Sequence, residues 1–274
     1  MGVTALGGYQ KIRKDKNNMR QKRIIITGGP TNEPIDEVMK ITNMSTGKYP
    51  IELGKLFFEA GYQVTMIMNK SSKGMMPSKL NPHTVWIDTT QEMMDALKHR
   101  KGRADFIIHA AAVGDYKPEF SFLLEDLADE LFAKKDIIFS RNDILNILTN
   151  PDCKLDDSSK ISSYQKNLTV KLGLTPKIIA RLREWYPNAV IFGFKLLENV
   201  PDYELYEAAW DLCQNNKLDF VLANDLADLR RGKTTRYLVS HKLRNSIPLD
   251  TAEEVFNFIR TGLSTVCLLT DDGS

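Results

Sequence analysis

Cysteine and histidine are scarce in this chain. Its 274 residues hold three cysteines (Cys153, Cys213 and Cys267) and four histidines (His83, His99, His109 and His241). The cysteines are far apart and odd in number, which excludes a disulfide framework and points to a reducing, cytoplasmic setting. The histidines lack metal-ligand spacing, so no metal site is expected. No apolar run approaches the roughly 20 residues of a bilayer span, which argues against a membrane protein. Charge of one sign is also missing. Lys+Arg is 37 and Asp+Glu is 35, a formal net charge of +2. Such a chain has no overall field for a nucleic-acid backbone, so no nucleic-acid partner is expected, although a local basic site for one small anion stays possible. Three motifs are absent as well: the G-x-S-x-G elbow, the Walker A loop and the G-x-G-x-x-G fingerprint. Without that fingerprint or a Tyr-x-x-x-Lys pair, a nicotinamide-dependent reductase is disfavoured.

What is present is an alternation of apolar β-branched runs with amphipathic stretches. Residues 1–21 are polar and basic without apolar periodicity and read as a disordered leader; residues 22–274 read as one domain. Strands are expected at Arg23–Ile26, Gln63–Met68, Thr84–Ile87, Asp105–His109, Leu168–Lys171, Ala189–Phe194 and Asp219–Ala223, with an edge strand at Arg236–Val239. Helices are expected at Lys48–Ala60, Thr90–Lys98, Leu123–Lys135, Thr175–Trp185 and Tyr203–Gln214, and a capping box at Thr251–Glu254 opens another. This order predicts an α/β fold with a Rossmann-like, mostly parallel sheet and helices on both faces. Residues 115–170 read as an insertion, with a mobile flap at about 151–167.

In such sheets ligands bind beyond the carboxyl ends of the strands. Four segments should converge there: Thr27–Thr31, His109–Asp115, Phe192–Lys195 and Ala223–Asp225. Gly28 and Gly29 permit a tight turn or a close backbone approach. Ser45 or Thr46 caps the next helix, and Gly47 and Lys48 at its positive end suit a phosphate; an ordinary N-cap is the competing account. The small residues Ala110, Ala111 and Ala112 leave room for a flat ring on backbone, and Asp115 can accept hydrogen bonds; close loop packing is the alternative. Asn224-Asp225 serves equally as ligand contact or turn cap.

Taken together, the stretches IIITGGPTNEPIDEV, ITNMSTGK, IIHAAAVGDYKP, KISS, TPKII, IFGFKLLENV and DFVLANDL resemble phosphopantothenoylcysteine synthetase (phosphopantothenate–cysteine ligase), in its monofunctional bacterial form, over about Arg23–Val239. The resemblance implies a two-step ligation. CTP, or ATP in eukaryotic relatives, with Mg²⁺ activates 4′-phosphopantothenate as an acyl-nucleotide and releases pyrophosphate; the L-cysteine amine then forms the amide. It also implies a homodimer, formed through the inserted region. By resemblance, Asn43 hydrogen-bonds the acyl-nucleotide and Lys160 is the flap lysine. His109, Ala110, Ala111, Asp115, Pro176, Lys177, Ile178, Ile179 and Phe194 are nucleotide contacts, and Gly28, Gly29, Ser45, Thr46, Gly47 and Lys48 face phosphate. Three positions depart from the family's cations: Met39, Asp211 and Asn215. Each unreplaced charge-assisted bond is worth about 1–3 kcal/mol, which motivates a second reading, a homologue that binds without turnover. Lys40, Lys117, Lys177, Lys195 and Lys217 are the candidate replacements.

Overall fold

The structure is a computed structural model describing residues 21–76, 82–241, 243 and 245–262. The predicted leader, apart from Gln21, lies outside the described residues. The chain builds β1 (Arg23–Gly28), a short hairpin of β2 (Asn32–Pro34) and β3 (Lys40–Thr42), α1 (Lys48–Glu59), β4 (Gln63–Asn69), β5 (His83–Ile87), α2 (Thr90–His99) and β6 (Phe106–His109). Then come β7 (Tyr116–Leu123), α3 (Leu124–Ala133), α4 (Arg141–Thr149), β8 (Leu168–Leu174), α5 (Ile179–Trp185), β9 (Val190–Leu197), α6 (Asp202–Asn215) and β10 (Phe220–Asp225). It closes with α7 (Leu226–Arg230), β11 (Arg236–Val239), β12 (Ile247–Leu249) and α8 (Ala252–Asn257).

Eight strands form one sheet in the order β12-β11-β10-β9-β6-β1-β4-β5. The six from β10 to β5 are parallel, and β11 and β12 are antiparallel. The expected mostly parallel α/β sheet is therefore observed. Side chains alternate across each strand. Ile24 and Ile26 face a core with Leu53 and Phe57 of α1 and Val255 of α8. Ile25, between them, faces a core with Leu97 of α2, Leu182 of α5 and Ala209 of α6. Burial on both faces explains why the strands read as unbroken apolar runs rather than alternating ones.

Several boundaries move for physical reasons. The edge of the sheet is β12, outside Arg236–Val239. Thr89, not Thr90, caps α2, by accepting from the Glu92 N–H. Thr175 does not cap α5, which starts at Ile179 without a side-chain cap; the Thr175 hydroxyl instead donates to Gly114 O. Neither Ser45 nor Thr46 is the N-cap residue of α1, but the Thr46 hydroxyl accepts its first N–H, that of Lys48. Its N-cap is Gly47 at φ 74°, a left-handed conformation that favours glycine. The Thr251 capping box is present as expected.

The inserted region has more structure than the sequence suggests. β7 and β8 pair antiparallel, apart from the main sheet, with a bulge between Pro118 and Phe120. Between them lie α3, α4 and residues 151–167, which carry neither helix nor strand. That irregular stretch is pinned at one point. The buried Asp36 carboxylate accepts from the N–H groups of Val38 (2.7 Å), Met39 (2.6 Å) and Ile161 (2.9 Å). These bonds, Met39 first, hold the Asp36 pKa below its ordinary 3.8, with a smaller contribution from the Lys160 charge. A depressed carboxyl pKa stabilises above the unfolded value and is lost as pH falls through the folded one. Asp36→Asn keeps one acceptor and sets an NH₂ group against at least one of the three donors. Hydrogen exchange at the Ile161 amide should rise by about tenfold or more in this variant, a loss of about 1.4 kcal/mol in local opening. In the unsubstituted protein the same amide should lose protection as pH falls below 3.8. Unchanged exchange in the variant would refute the pin.

Candidate active site

The parallel strands β9, β6 and β1 are neighbours and end at one edge of the sheet, with β10 beside β9. Their following loops are thereby brought side by side, and hydrogen bonds lock two of them together. Ala112 N donates to Gly29 O at 2.9 Å, Thr31 N to Ala112 O at 3.3 Å, and Ala110 N to Thr27 O at 3.3 Å. Gly114 N donates to the Thr31 hydroxyl at 2.9 Å. The Asn43 side-chain amide lies on this same loop, its Nδ2 donating to Ala112 O (3.3 Å) and Val113 O (3.1 Å). Asn43 and the Asp115 loop thus share one place. Lys160, on the insertion, is held beside the turn joining β2 to β3, because its neighbour Ile161 is bonded to Asp36 there.

The glycines do different work. Gly28 is not strained; a Cβ there would overlap Pro50 of α1, so its smallness serves packing. Gly29 (φ 78°) and Gly47 (φ 74°) need left-handed backbone. A Cβ on Gly47 would stand 2.7 Å from Ser72 Oγ and 3.1 Å from Gly29 N. The β1 turn and the start of α1 therefore touch. The Thr46 hydroxyl accepts the Lys48 N–H at 3.3 Å, and Pro50 carries no N–H. The positive end of α1 faces the loop carrying Asn43, an arrangement suited to an anion.

Other predicted residues divide. Asp115 is exposed and paired with Lys177. Ile178 is 2% exposed in the core, so only its backbone can meet a ligand, and Ile179 packs against the same core. Phe194 is partly buried and meets Tyr49 edge-on, ring centroids 6.0 Å apart. Asp225 caps α7, accepting from Ala227 N and Asp228 N, which favours the turn reading of Asn224-Asp225. Arg236 was missed by sequence reasoning. Its guanidinium lies 3.6 Å from the Tyr49 ring centroid, and antiparallel register sets it at the same strand end as Asn224. A lone arginine on an edge strand carries no sequence signal for this. A cavity of about 620 Å³ beside α6, lined by Tyr203, Tyr206 and Trp210, holds none of the predicted site residues.

His109 is buried, and its Nδ1 is 2.8 Å from the Thr27 hydroxyl, which also accepts the Ala111 N–H at 3.3 Å. Burial pushes its pKa down to about 4. The ring is neutral at pH 7 and orders the loop; its side chain is not a charge for phosphate. Because the unfolded imidazole, near 6.5, gains a proton that the folded one refuses, stability falls as pH drops from 6.5 towards 4. That single group accounts for about 3 kcal/mol at pH 4. In His109→Gln, the urea-unfolding free energy should fall much less steeply across this window. An unaltered acid slope would contradict the assignment.

The family described as the DNA/pantothenate metabolism flavoprotein C-terminal domain matches residues 19–146. The coenzyme A biosynthesis bifunctional protein CoaBC of Thermococcus kodakarensis is 29% identical over 250 residues, covering 90% of this chain and 52% of that protein. The CoaBC protein of Vibrio vulnificus is 34% identical over 210 residues, covering 76% and 42%. The chain thus spans about half the length of these relatives. The crystal structure of the DNA/pantothenate metabolism flavoprotein from Streptococcus pneumoniae superposes with a TM-score of 0.70 at 26% identity, covering 89% of this chain and 99% of that one. A Cab2 mutant in complex with phosphopantothenate-cysteine shares the fold at a TM-score of 0.61 and 16% identity, covering 98% and 96%. The match to the DNA/pantothenate metabolism flavoprotein C-terminal domain family runs over residues 19–146, and the solved structures share the mostly parallel α/β fold that the motifs implied.

Proposed function

We propose that this protein is a phosphopantothenate–cysteine ligase of coenzyme A biosynthesis. In this reading 4′-phosphopantothenate is activated by CTP, or ATP, as an acyl-nucleotide with loss of pyrophosphate, and the L-cysteine amine displaces the nucleotide to form the amide. The observation that carries it is the meeting of Asn43 with the Ala112–Val113 carbonyls beside the positive end of α1. Asn43 exchanges one of its two loop bonds for the acyl oxygen, donating to charge that develops there without a proton transfer. Lys160 closes from the insertion and sets a cation against the phosphates, excluding water. Backbone at His109–Ala111 and Pro176–Ile179, with Asp115 and Phe194, receives the nucleotide. Gly29, Ser45–Lys48 and the α1 N-terminus receive phosphate, with Gly28 shaping the turn.

Mg²⁺ bound with the triphosphate would neutralise part of its charge; the side chains beside the α1 start, Asn43, Ser45, Thr46 and Lys48, include no carboxylate to ligate it. Residues 151–167 are the flap and 22–274 one domain. The setting is the cytoplasm; among the described residues no helix is long and apolar enough to cross a membrane. Purified protein should release pyrophosphate and form phosphopantothenoylcysteine when CTP or ATP is supplied with both substrates. Asn43→Ala and Lys160→Ala should each lower kcat by about 10²-fold or more while the fold survives. No pyrophosphate from either nucleotide would overturn the reading. Nucleotide binding without turnover would support the second one, which the departure at Met39 favours.

The partner in this proposal is a second copy of the chain. The arm between β7 and β8 exposes Phe132 (70%), Ile137 (65%) and Phe139 (86%), together with Ile144, Leu145 and Leu148 of α4. Contiguous apolar surface of this kind marks an association face. Sedimentation should show a dimer for the unaltered protein and a monomer for Phe132→Asp/Phe139→Asp. A dimer in both would place the interface elsewhere.

A further inference from the structure

The opposite edge of the sheet holds a second basic feature. Parallel register sets Arg23 beside Gln63 and Thr65 beside His83, at the amino ends of β1, β4 and β5. These four side chains share the face that carries α2, as does Ile25. The carboxyl end of α2 lies over them and adds His99, Arg100 and Arg103. Together these residues line a cavity of about 240 Å³. β4 spans seven residues, so the cavity lies about 20 Å from the candidate active site.

Its polar groups are incompletely paired. Arg23 meets Asp105 at 3.5 Å, but its Nε is buried with no hydrogen-bond partner. Buried donors rarely go unpaired. Arg100 donates to Ala96 O at 3.1 Å and to His83 Nε2 at 3.0 Å. A guanidinium cannot accept, so His83 Nε2 has to be the acceptor. Three guanidinium groups therefore line one small space, whose wall contributes no carboxylate. Such a set fits an oxygen-rich anion that offers several acceptors at once. The volume is below the roughly 300–1,000 Å³ of pockets for drug-sized ligands, which excludes a nucleotide and suits a small phosphate.

We propose that this cavity at the amino edge of the sheet is a binding site for a small phosphate-class dianion, orthophosphate or pyrophosphate. The inference does not rest on the ligase reading. The full chain, labelled with ¹⁵N-arginine, is titrated with orthophosphate and, separately, with pyrophosphate, against sodium chloride at matched ionic strength. Saturable shifts of the Arg23 and Arg100 Nε–H signals are expected with a phosphate and not with chloride; the arm that saturates at lower concentration identifies the source. Arg100→Ala/Arg103→Ala should weaken binding by about tenfold or more, and Arg103→Gln alone, at an exposed position, by about threefold. Equal shifts in chloride, no saturation, or unchanged affinity in Arg103→Gln would overturn the proposal.

Discussion

The carbonyl of Ala112 is the constraint on which the candidate site is built. It accepts from Thr31 N and from Asn43 Nδ2, each at 3.3 Å, while Ala112 N donates to Gly29 O at 2.9 Å. These bonds extend the pairing of β1 and β6 beyond the strand ends. Two loops that the topology merely makes neighbours are thereby fixed in register. A shift at this carbonyl moves Thr31, Asn43 and Gly114 together.

A second layer of ties binds the insertion to the same loop. Thr175 N donates to Asp115 O at 3.0 Å, and the Thr175 hydroxyl donates to Gly114 O. Behind the loop, the Thr31 and Thr90 hydroxyls are bonded at 2.9 Å, and buried Glu33 accepts from the Thr90 N–H and hydroxyl. Each neutral bond contributes only about 0.5–1.5 kcal/mol net. Their consequence is positional more than energetic, since removing one leaves a partner unpaired. The carboxylate of Asp36 holds the other end of the insertion through Ile161. The inserted region is therefore fastened at its base, where Thr175 meets the Gly114–Asp115 loop, and again at Ile161, on the β2–β3 hairpin.

The parallel sheet was legible because a strand buried on both faces is apolar at every position, as Ile24-Ile25-Ile26 and DFVLA are. The convergence of the four loops followed from that sheet. What stayed hidden depends on non-local pairing. β7 contains Pro118, which reads as a strand breaker, yet it is tolerated next to a bulge in a two-stranded ribbon. β2 and β3 have three residues each, too few for any period to show. Thr175-Pro176 has the chemistry of a helix start, but tertiary contacts claim the hydroxyl. At Gly47 a left-handed backbone takes the N-cap position, while the Thr46 hydroxyl before it still meets the Lys48 N–H. Of the candidate site, Asn43 and the Asp115 loop were found from motif and position. Arg236 was not, because its role arises from stacking on a ring brought from α1.

Topology also sorts the charges available to the proposed chemistry. α6 crosses from the carboxyl end of β9 back to the amino end of β10, so Lys217, immediately before β10, lies at the far edge of the sheet and cannot replace a cation at the site. Asp211 and Asn215 occupy the returning part of that helix, on its exposed side. Within one chain, their substitution for family lysines therefore removes charge from a region distant from Asn43. Met39 is different: it lies in the β2–β3 turn, three hydrogen-bonded residues from Thr42, and Lys40 beside it begins β3. Lys177 is engaged by Asp115. Near the start of α1 stand Lys48 and, over the Tyr49 ring, the Arg236 guanidinium, with Lys160 on the insertion. In the first turn of α1 the Lys48 N–H is taken by the Thr46 hydroxyl, the Ile51 N–H by Gly47 O, and Pro50 has none, so a triphosphate held there would depend on the helix end and on these side-chain cations together. That dependence makes the left-handed turn at Gly47, which brings the start of α1 against the Gly29 backbone, a positional requirement of the proposed reaction beside its charged residues.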